Sequence, residues 1–81
     1  MWYLKTRLGT FWVAPITDTK NKYYLGVDDQ ELGVYSDIEQ AAKDVHDQST
    51  GFFKWDSQAR VRAPEHIAEW TEGEPKTWHA D

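Results

Sequence analysis

The chain contains no cysteine, and none of its 81 residues belong to an apolar run long enough to cross a membrane. The lack of cysteine excludes disulfides, thiolate nucleophiles and cysteine-based zinc or iron–sulfur sites, so the burial of apolar side chains has to supply the stability. This composition suits a reducing cytoplasm. Because the N-terminal segment also lacks an apolar run of signal-peptide length, we expect neither export by a standard signal nor a membrane partner.

Catalytic signatures are missing as well: there is no glycine-rich phosphate loop, no HExxH, no GxSxG and no calcium-binding loop. His46, His66 and His79 are scattered, with no pair at metal-ligand spacing. His46 lies between Asp44 and Asp47, which would suit a proton-transfer group, but a half-exposed helix histidine is the favoured interpretation. We therefore expect no enzyme activity, no metal and no cofactor.

Basic residues are outnumbered, since nine Lys and Arg face 14 Asp and Glu, for a net charge of -5. Residues 1–27 carry +3, residues 28–47 carry -6 and the remainder carries -2. A negative total argues against nonspecific phosphate binding, which usually needs a strongly basic domain. Nucleic acid is disfavoured as a partner but not excluded, because the basic residues concentrate in the first third of the chain.

Aromatic residues are plentiful, at 15% of the chain, and apolar residues follow a regular pattern. Apolar and polar residues alternate over residues 2–7, 10–16, 22–27 and 31–35, which predicts strands. Short connectors containing Gly, Asn or Asp separate these strands and favour an antiparallel meander. Pro15 is expected near a strand end, because it has no N–H to donate.

A helix is predicted after the strands. Residues 36–39, Ser-Asp-Ile-Glu, have the form of a capping box that begins at Ser36. One apolar stripe follows at helical spacing, formed by Ile38, Ala41, Ala42 and Val45. Glu39 and Lys43 are spaced to pair, and Gly51 is placed to end the helix. The predicted fold class is α+β, with an antiparallel three- or four-stranded meander packed on one α-helix.

The last third is rich in aromatic side chains. Phe52, Phe53 and Trp55 are expected to close an open end of the core, with Asp56 as a cap or turn acceptor. Pro64 suits the first turn of a short second helix that ends in an aromatic plug, Trp70. We expect a single globular domain over residues 1–70 and a flexible acidic tail over residues 71–81.

Two resemblances concern the central part of the chain. The run LGVYSDIEQAAKDVHDQSTG, preceded by FWVAPI and KYYLGV, resembles the strand-strand-strand-helix order of the plant ethylene-response-factor DNA-binding domain. That family contacts DNA with arginines and tryptophans on its sheet; only Trp12, Lys5 and Arg7 match in type here, so DNA binding does not carry over. Residues 32–56 are also similar to small uncharacterised bacterial proteins that share an LGxYxSxxxAAxxVxxxxTGxxxWD core, which supports the fold and implies no activity.

The outer side of the predicted sheet is the main candidate site. Alternation directs seven side chains toward the helix, namely Trp2, Leu4, Tyr23, Leu25, Val27, Leu32 and Val34. The opposite side then receives Tyr3, Lys5, Arg7, Lys22, Tyr24, Glu31 and Tyr35, joined by Trp12 if Phe11 and Val13 face inward. The binding residues predicted from this face are Tyr3, Lys5, Arg7, Trp12, Lys22 and Tyr24. An equally weighted alternative is that residues 52–70 fold across that face and cover it.

A second candidate is the acidic middle of the chain. Its carboxylates include a docking patch for a basic partner, formed by Asp37, Glu39, Asp44 and Asp47. The favoured alternative is a solvated helix face. Together these features predict a small acidic cytoplasmic protein-interaction module, most simply one that binds another protein. The alternative is a nucleic-acid-binding domain that uses the aromatic and basic sheet face.

Overall fold

The computed structural model describes residues 1–74, which form a five-stranded antiparallel sheet with helices on one side. The strands are β1 (Trp2–Thr6), β2 (Gly9–Pro15), β3 (Tyr23–Val27), β4 (Gln30–Tyr35) and β5 (Thr71–Glu72). Their spatial order is β4-β3-β2-β1-β5, so the first four strands form the predicted meander. The α+β class is confirmed.

A β-bulge in β4 changes which side chains face the helix. Leu25 pairs with Gly33 and the next residue, Gly26, pairs with Glu31, so Leu32 is an extra residue without a partner on β3. The extra residue shifts the alternation by one position beyond it. Tyr35 therefore faces the helix and Val34 faces outward with 53% of its surface exposed, which reverses the orientation predicted for both.

The main helix, α1, spans Ile38–His46. Its N-cap is Asp37, whose carboxylate accepts the backbone N–H of Glu39 at 2.9 Å, so the prediction of Ser36 as the cap was wrong by one residue. The helix ends at His46, well before Gly51, and Gln48 takes the left-handed conformation with a φ of 58°. Gly51 therefore does not terminate the helix.

Two small side chains let α1 lie close to the sheet. Ala41, Ala42 and Val45 are fully buried, as the apolar stripe predicted. They pack in one core with the side chains of β2 and β3 that face α1, and the C-terminal part of the chain completes this core. The buried core residues are Phe11, Val13, Leu25, Val27, Ala41, Ala42, Val45, Trp55, Ala63, Ile67 and Trp70.

The segment after α1 packs on the helix side of the sheet. The short helix α2 (Phe53–Asp56) buries Trp55, whose indole N–H donates to the Val45 carbonyl at 2.8 Å. The Trp55 ring also meets the Phe11 ring edge-on at 5.1 Å between centroids. Trp70 is buried, as expected of a plug. Residues 52–70 thus pack on the side of the sheet that faces α1 and do not fold across the opposite side. Phe53 is the exception to the predicted aromatic cluster, because it is 79% exposed.

The acceptor role expected for Asp56 is confirmed. Its carboxylate accepts the backbone N–H groups of Thr50 and Gly51 and the Thr50 hydroxyl, at 2.8 to 3.1 Å. These bonds hold the loop between α1 and α2. The second helical element expected near Pro64 is a single 3-10 turn, Ile67–Glu69.

Strand β5 is an addition that the sequence did not predict. Thr71 and Glu72 pair with Tyr3 and Trp2, and the Gly73 N–H donates to the Met1 carbonyl at 2.7 Å. Two residues assigned to the flexible tail are therefore part of the sheet. The remainder of the predicted tail, from residue 75, lies outside the described residues.

Candidate functional site

The side of the sheet away from α1, here called the outer face, carries most of the predicted binding residues. Cross-strand partners share a face, so the register places Tyr3 beside Trp12 and Trp12 beside Gly26. The next row along the strands joins Ala14, Tyr24 and Val34. The structure therefore brings three aromatic side chains and the exposed Val34 onto one surface.

Trp12 is held flat against the sheet. A Cβ built on Gly26 would lie 2.1 Å from Cζ2 of Trp12, so the indole ring occupies the space that a side chain at this position would need. The indole N–H donates to the Asp28 carbonyl at 2.8 Å. Asp28 takes a φ of 52°, and its carboxylate accepts the Thr10 N–H at 2.9 Å. These contacts fix the plane of the ring before any partner arrives.

The predicted cations do not form one cluster. Lys5 pairs with Thr10 at one end of the outer face, and Lys22 lies at the other end, where its carbonyl accepts the Ile16 N–H at 2.9 Å. Along the strands, Lys5 and Lys22 lie three cross-strand rows apart. Each row adds about 7 Å, so roughly 20 Å separates the two lysines. The aromatic residues therefore lie between two positive ends. Arg7 lies in the turn after β1, beside the sheet edge.

Each carboxylate of the predicted acidic patch has a contact within the domain. Asp37 caps α1, and the Glu39 carboxylate accepts the Ile67 N–H at 2.8 Å, which joins α1 to the 3-10 turn. Asp47 pairs with Lys43 at 2.7 Å, whereas the sequence had assigned Lys43 to Glu39. This ion pair raises the pKa of Lys43 and lowers the pKa of Asp47.

Asp44 has the most enclosed position of the four. It accepts the Tyr35 hydroxyl at 2.5 Å and the Gln40 amide at 2.8 Å. Burial of the phenol and the hydrogen bond to Asp44 together raise the pKa of Tyr35 well above its usual range. The bond ties β4 to α1, so Asp44 contributes to the packing of the domain.

The histidines have separate environments. His46 Nδ1 lies 2.8 Å from the Ala63 carbonyl, and His66 Nδ1 lies 3.9 Å from the Glu39 carboxylate. His79 lies outside the described residues. Within residues 1–74, no three His, Asp or Glu side chains are grouped closely enough to hold a metal ion. The same residues include no helix of the length and apolarity that a membrane span requires.

The sequence analysis did not predict Val34 as a residue of the outer face, nor Arg60 and Arg62 as residues of a binding surface. Val34 was assigned inward because a bulge leaves no mark in an alternating strand. The sequence signal for Arg60 and Arg62 is that they flank the apolar Val61 in a stretch without nearby acidic residues between Asp56 and Glu65.

Comparisons of the chain with protein-family models, with curated proteins and with solved structures find no match.

Proposed function

We propose that this chain is a small protein-interaction module and that its outer face contacts the partner. The observation that carries the proposal is the fixed Trp12 ring, which lies beside Tyr3 and close to Tyr24. Tyr and Trp residues dominate binding energy at protein interfaces, and rings already held in place lose little entropy on binding.

Val34 extends this surface toward the edge of the sheet. It is 53% exposed, it pairs with Tyr24, and it lies on the same face as Trp12. A solvent-exposed β-branched side chain beside aromatic rings favours a partner that offers an apolar side chain. With Lys5 and Lys22 at the two ends, the partner that fits best has acidic residues on either side of that apolar group.

The alternative is a nucleic-acid-binding domain that uses the same face. Aromatic side chains between two lysines also suit a single strand whose bases stack on the rings. The net charge of -5 argues against this alternative, because phosphate binding gains most of its affinity from neutralisation. The absence of cysteine agrees with a cytoplasmic location, which we include in the proposal.

The test compares two exposed apolar residues. Val34→Asp places a charge on the outer face, and Phe53→Asp places the same charge on α2, where Phe53 is 79% exposed. Immobilised wild-type and variant proteins are used to capture partners from a lysate of the source cells, and bound proteins are quantified by mass spectrometry. We expect at least one protein to bind the wild type and Phe53→Asp and to be lost with Val34→Asp.

Equal capture by all three proteins would refute the outer face as the contact surface. Fluorescence anisotropy with labelled single- and double-stranded oligonucleotides tests the nucleic-acid alternative. It is measured at about 50 mM salt, because electrostatic binding is strongest at low salt. Saturable oligonucleotide binding that Val34→Asp weakens would favour the nucleic-acid function instead.

A further inference from the structure

All three arginines of the chain line one groove at the edge of the sheet. The groove has a volume of about 300 Å³ and lies between the end of β1 and residues 60–62, which follow α2. We call it the arginine groove, and the lining residues that matter here are Leu4, Lys5, Arg7, Arg60, Val61 and Arg62.

Three elements position the arginines. Arg7 lies in the turn that joins β1 to β2, and β5 leaves this part of the edge open because it pairs only with Trp2 and Tyr3. On the opposite wall, Val61 packs against the core while Arg60 and Arg62 are exposed. Both arginines line the groove, so together they place two positive charges on that wall.

The arginines lack acidic partners within the domain. None of the three guanidinium groups forms an ion pair or hydrogen bond with a carboxylate of residues 1–74, although the chain has 14 Asp and Glu. The acidic side chains of α1 instead pair with Lys43 or accept hydrogen bonds from Tyr35 and from backbone N–H groups. The three guanidinium groups therefore carry positive charge that no carboxylate of residues 1–74 pairs, on a protein that is negative overall.

We propose that the arginine groove binds an extended acidic segment of a partner protein. In an extended peptide, acidic residues at alternate positions point to one side and lie about 7 Å apart, so a short segment can offer several carboxylates to the groove at once. Leu4 and Val61 are half-buried and supply apolar surface for the side chain between those acids. Arginine forms bidentate bonds with carboxylates, which favours this ligand over one recognised by a point charge.

A small free anion is a poorer fit. An exposed ion pair strengthens binding about 5-fold at most, so three of them supply roughly 100-fold and leave a single phosphate or acetate with a dissociation constant near 10 mM. The groove needs a ligand that contacts several arginines and the apolar floor together. A peptide segment does this. Lys5 borders both the groove and the outer face, whereas Arg60 and Arg62, on which the test rests, lie outside the outer face.

The probe is the peptide GEVEVEG, with blocked ends, and its neutral counterpart GQVQVQG. Binding of the fluorescently labelled peptides is measured by anisotropy at about 50 mM salt, where screening is weak. The test variant is Arg60→Gln with Arg62→Gln, and the matched control is Lys20→Gln with Lys54→Gln, which removes the same charge from exposed sites outside the groove. Thermal unfolding of both variants checks that the fold is kept.

We expect the acidic peptide to bind the wild type and the control within 2-fold of each other, and at least 10-fold more weakly to the arginine variant. Chemical shifts in a 15N-labelled sample should move at residues 4–7 and 60–62 with GEVEVEG and stay in place with GQVQVQG. Equal weakening in both variants would overturn the proposal, because it would show unspecific attraction.

Two other results would also overturn it. If inorganic phosphate shifts the same amide resonances at the same concentration, the groove is a site for a small anion. Shifts at residues 60–62 that follow the protein concentration without peptide would assign it to a second copy of the chain.

Discussion

Gly26 offers the sharpest test of how the outer face is built. In Gly26→Ala, the new Cβ would lie 2.1 Å from Cζ2 of Trp12 and 2.7 Å from the backbone oxygen of Gln30. The ring has to leave its place, and the bond from its N–H to the Asp28 carbonyl breaks. Overpacking costs about 1–3 kcal/mol and a lost hydrogen bond about 1 kcal/mol, while replacing Gly in a strand returns about 0.5–1 kcal/mol. We therefore expect a net loss of about 2 kcal/mol.

Urea unfolding followed by circular dichroism measures this loss directly. For a domain of this size, it corresponds to a fall in Tm of roughly 8–16 °C. Gly33→Ala is the matched control, because a Cβ there meets only Tyr35 Cε1 at an ordinary 3.5 Å, and we expect its unfolding free energy to equal that of the wild type or exceed it by up to about 1 kcal/mol. Equal stability of the two variants would refute the reasoning that Trp12 lies flat on Gly26.

Three further predictions concern the core and its loops. Asp56→Asn weakens the bonds that hold Thr50 and Gly51, and urea unfolding should show a loss of about 1–3 kcal/mol, while an unchanged midpoint would contradict this loop geometry. Trp55→Phe removes the indole hydrogen bond to the Val45 carbonyl, which keeps the Gln48 N–H at 3.2 Å, and opens a cavity, so we expect a loss of roughly 2–4 kcal/mol in the same assay, and a loss below about 1 kcal/mol would argue against the buried position. Because folding raises the pKa of Tyr35, the stability from its hydroxyl is present below the unfolded pKa of about 10 and is lost as pH rises through the folded pKa. The difference in unfolding free energy between wild type and Tyr35→Phe should stay constant between about pH 7 and 9 and shrink above about pH 10, whereas a constant difference up to pH 11 would contradict the raised pKa.

The sheet was readable from the sequence because period-two alternation is a strong signal in strands with one buried side. The four strands of the meander begin and end within one residue of their predicted bounds. The bulge at Leu32 was not readable, because an extra residue in one strand depends on the hydrogen-bond register of its neighbour. That single extra residue reverses the sides of the sheet that Val34 and Tyr35 face, relative to the prediction.

Helix ends and the C-terminal segment show a different kind of limit. Ser36 and Asp37 are both good N-caps, and only the path of the chain leaving β4 selects Asp37. Residues 52–70 carry aromatic side chains without a regular period, so their side of the sheet had to come from the structure. The packing of Trp55 on Phe11 decides it, because the ring fills the space beside α1.

The candidate site was predictable in part for the same reasons. Alternation placed Tyr3, Lys5 and Tyr24 on the outer face, whereas the contact between Trp12 and Gly26 depends on cross-strand register. The gathering of Arg7 with Arg60 and Arg62 joins parts of the chain more than 50 residues apart, which no local pattern reveals.

Photo-crosslinking inside the source cells tests the central claim, that the outer face contacts a protein partner, most directly. A benzophenone amino acid replaces Val34 on the outer face or, as the control, Gln40 on exposed α1. After irradiation, the account predicts a discrete crosslinked protein from position 34 that position 40 does not give. Crosslinks from position 40 alone, or nucleic acid in place of protein at position 34, would contradict it.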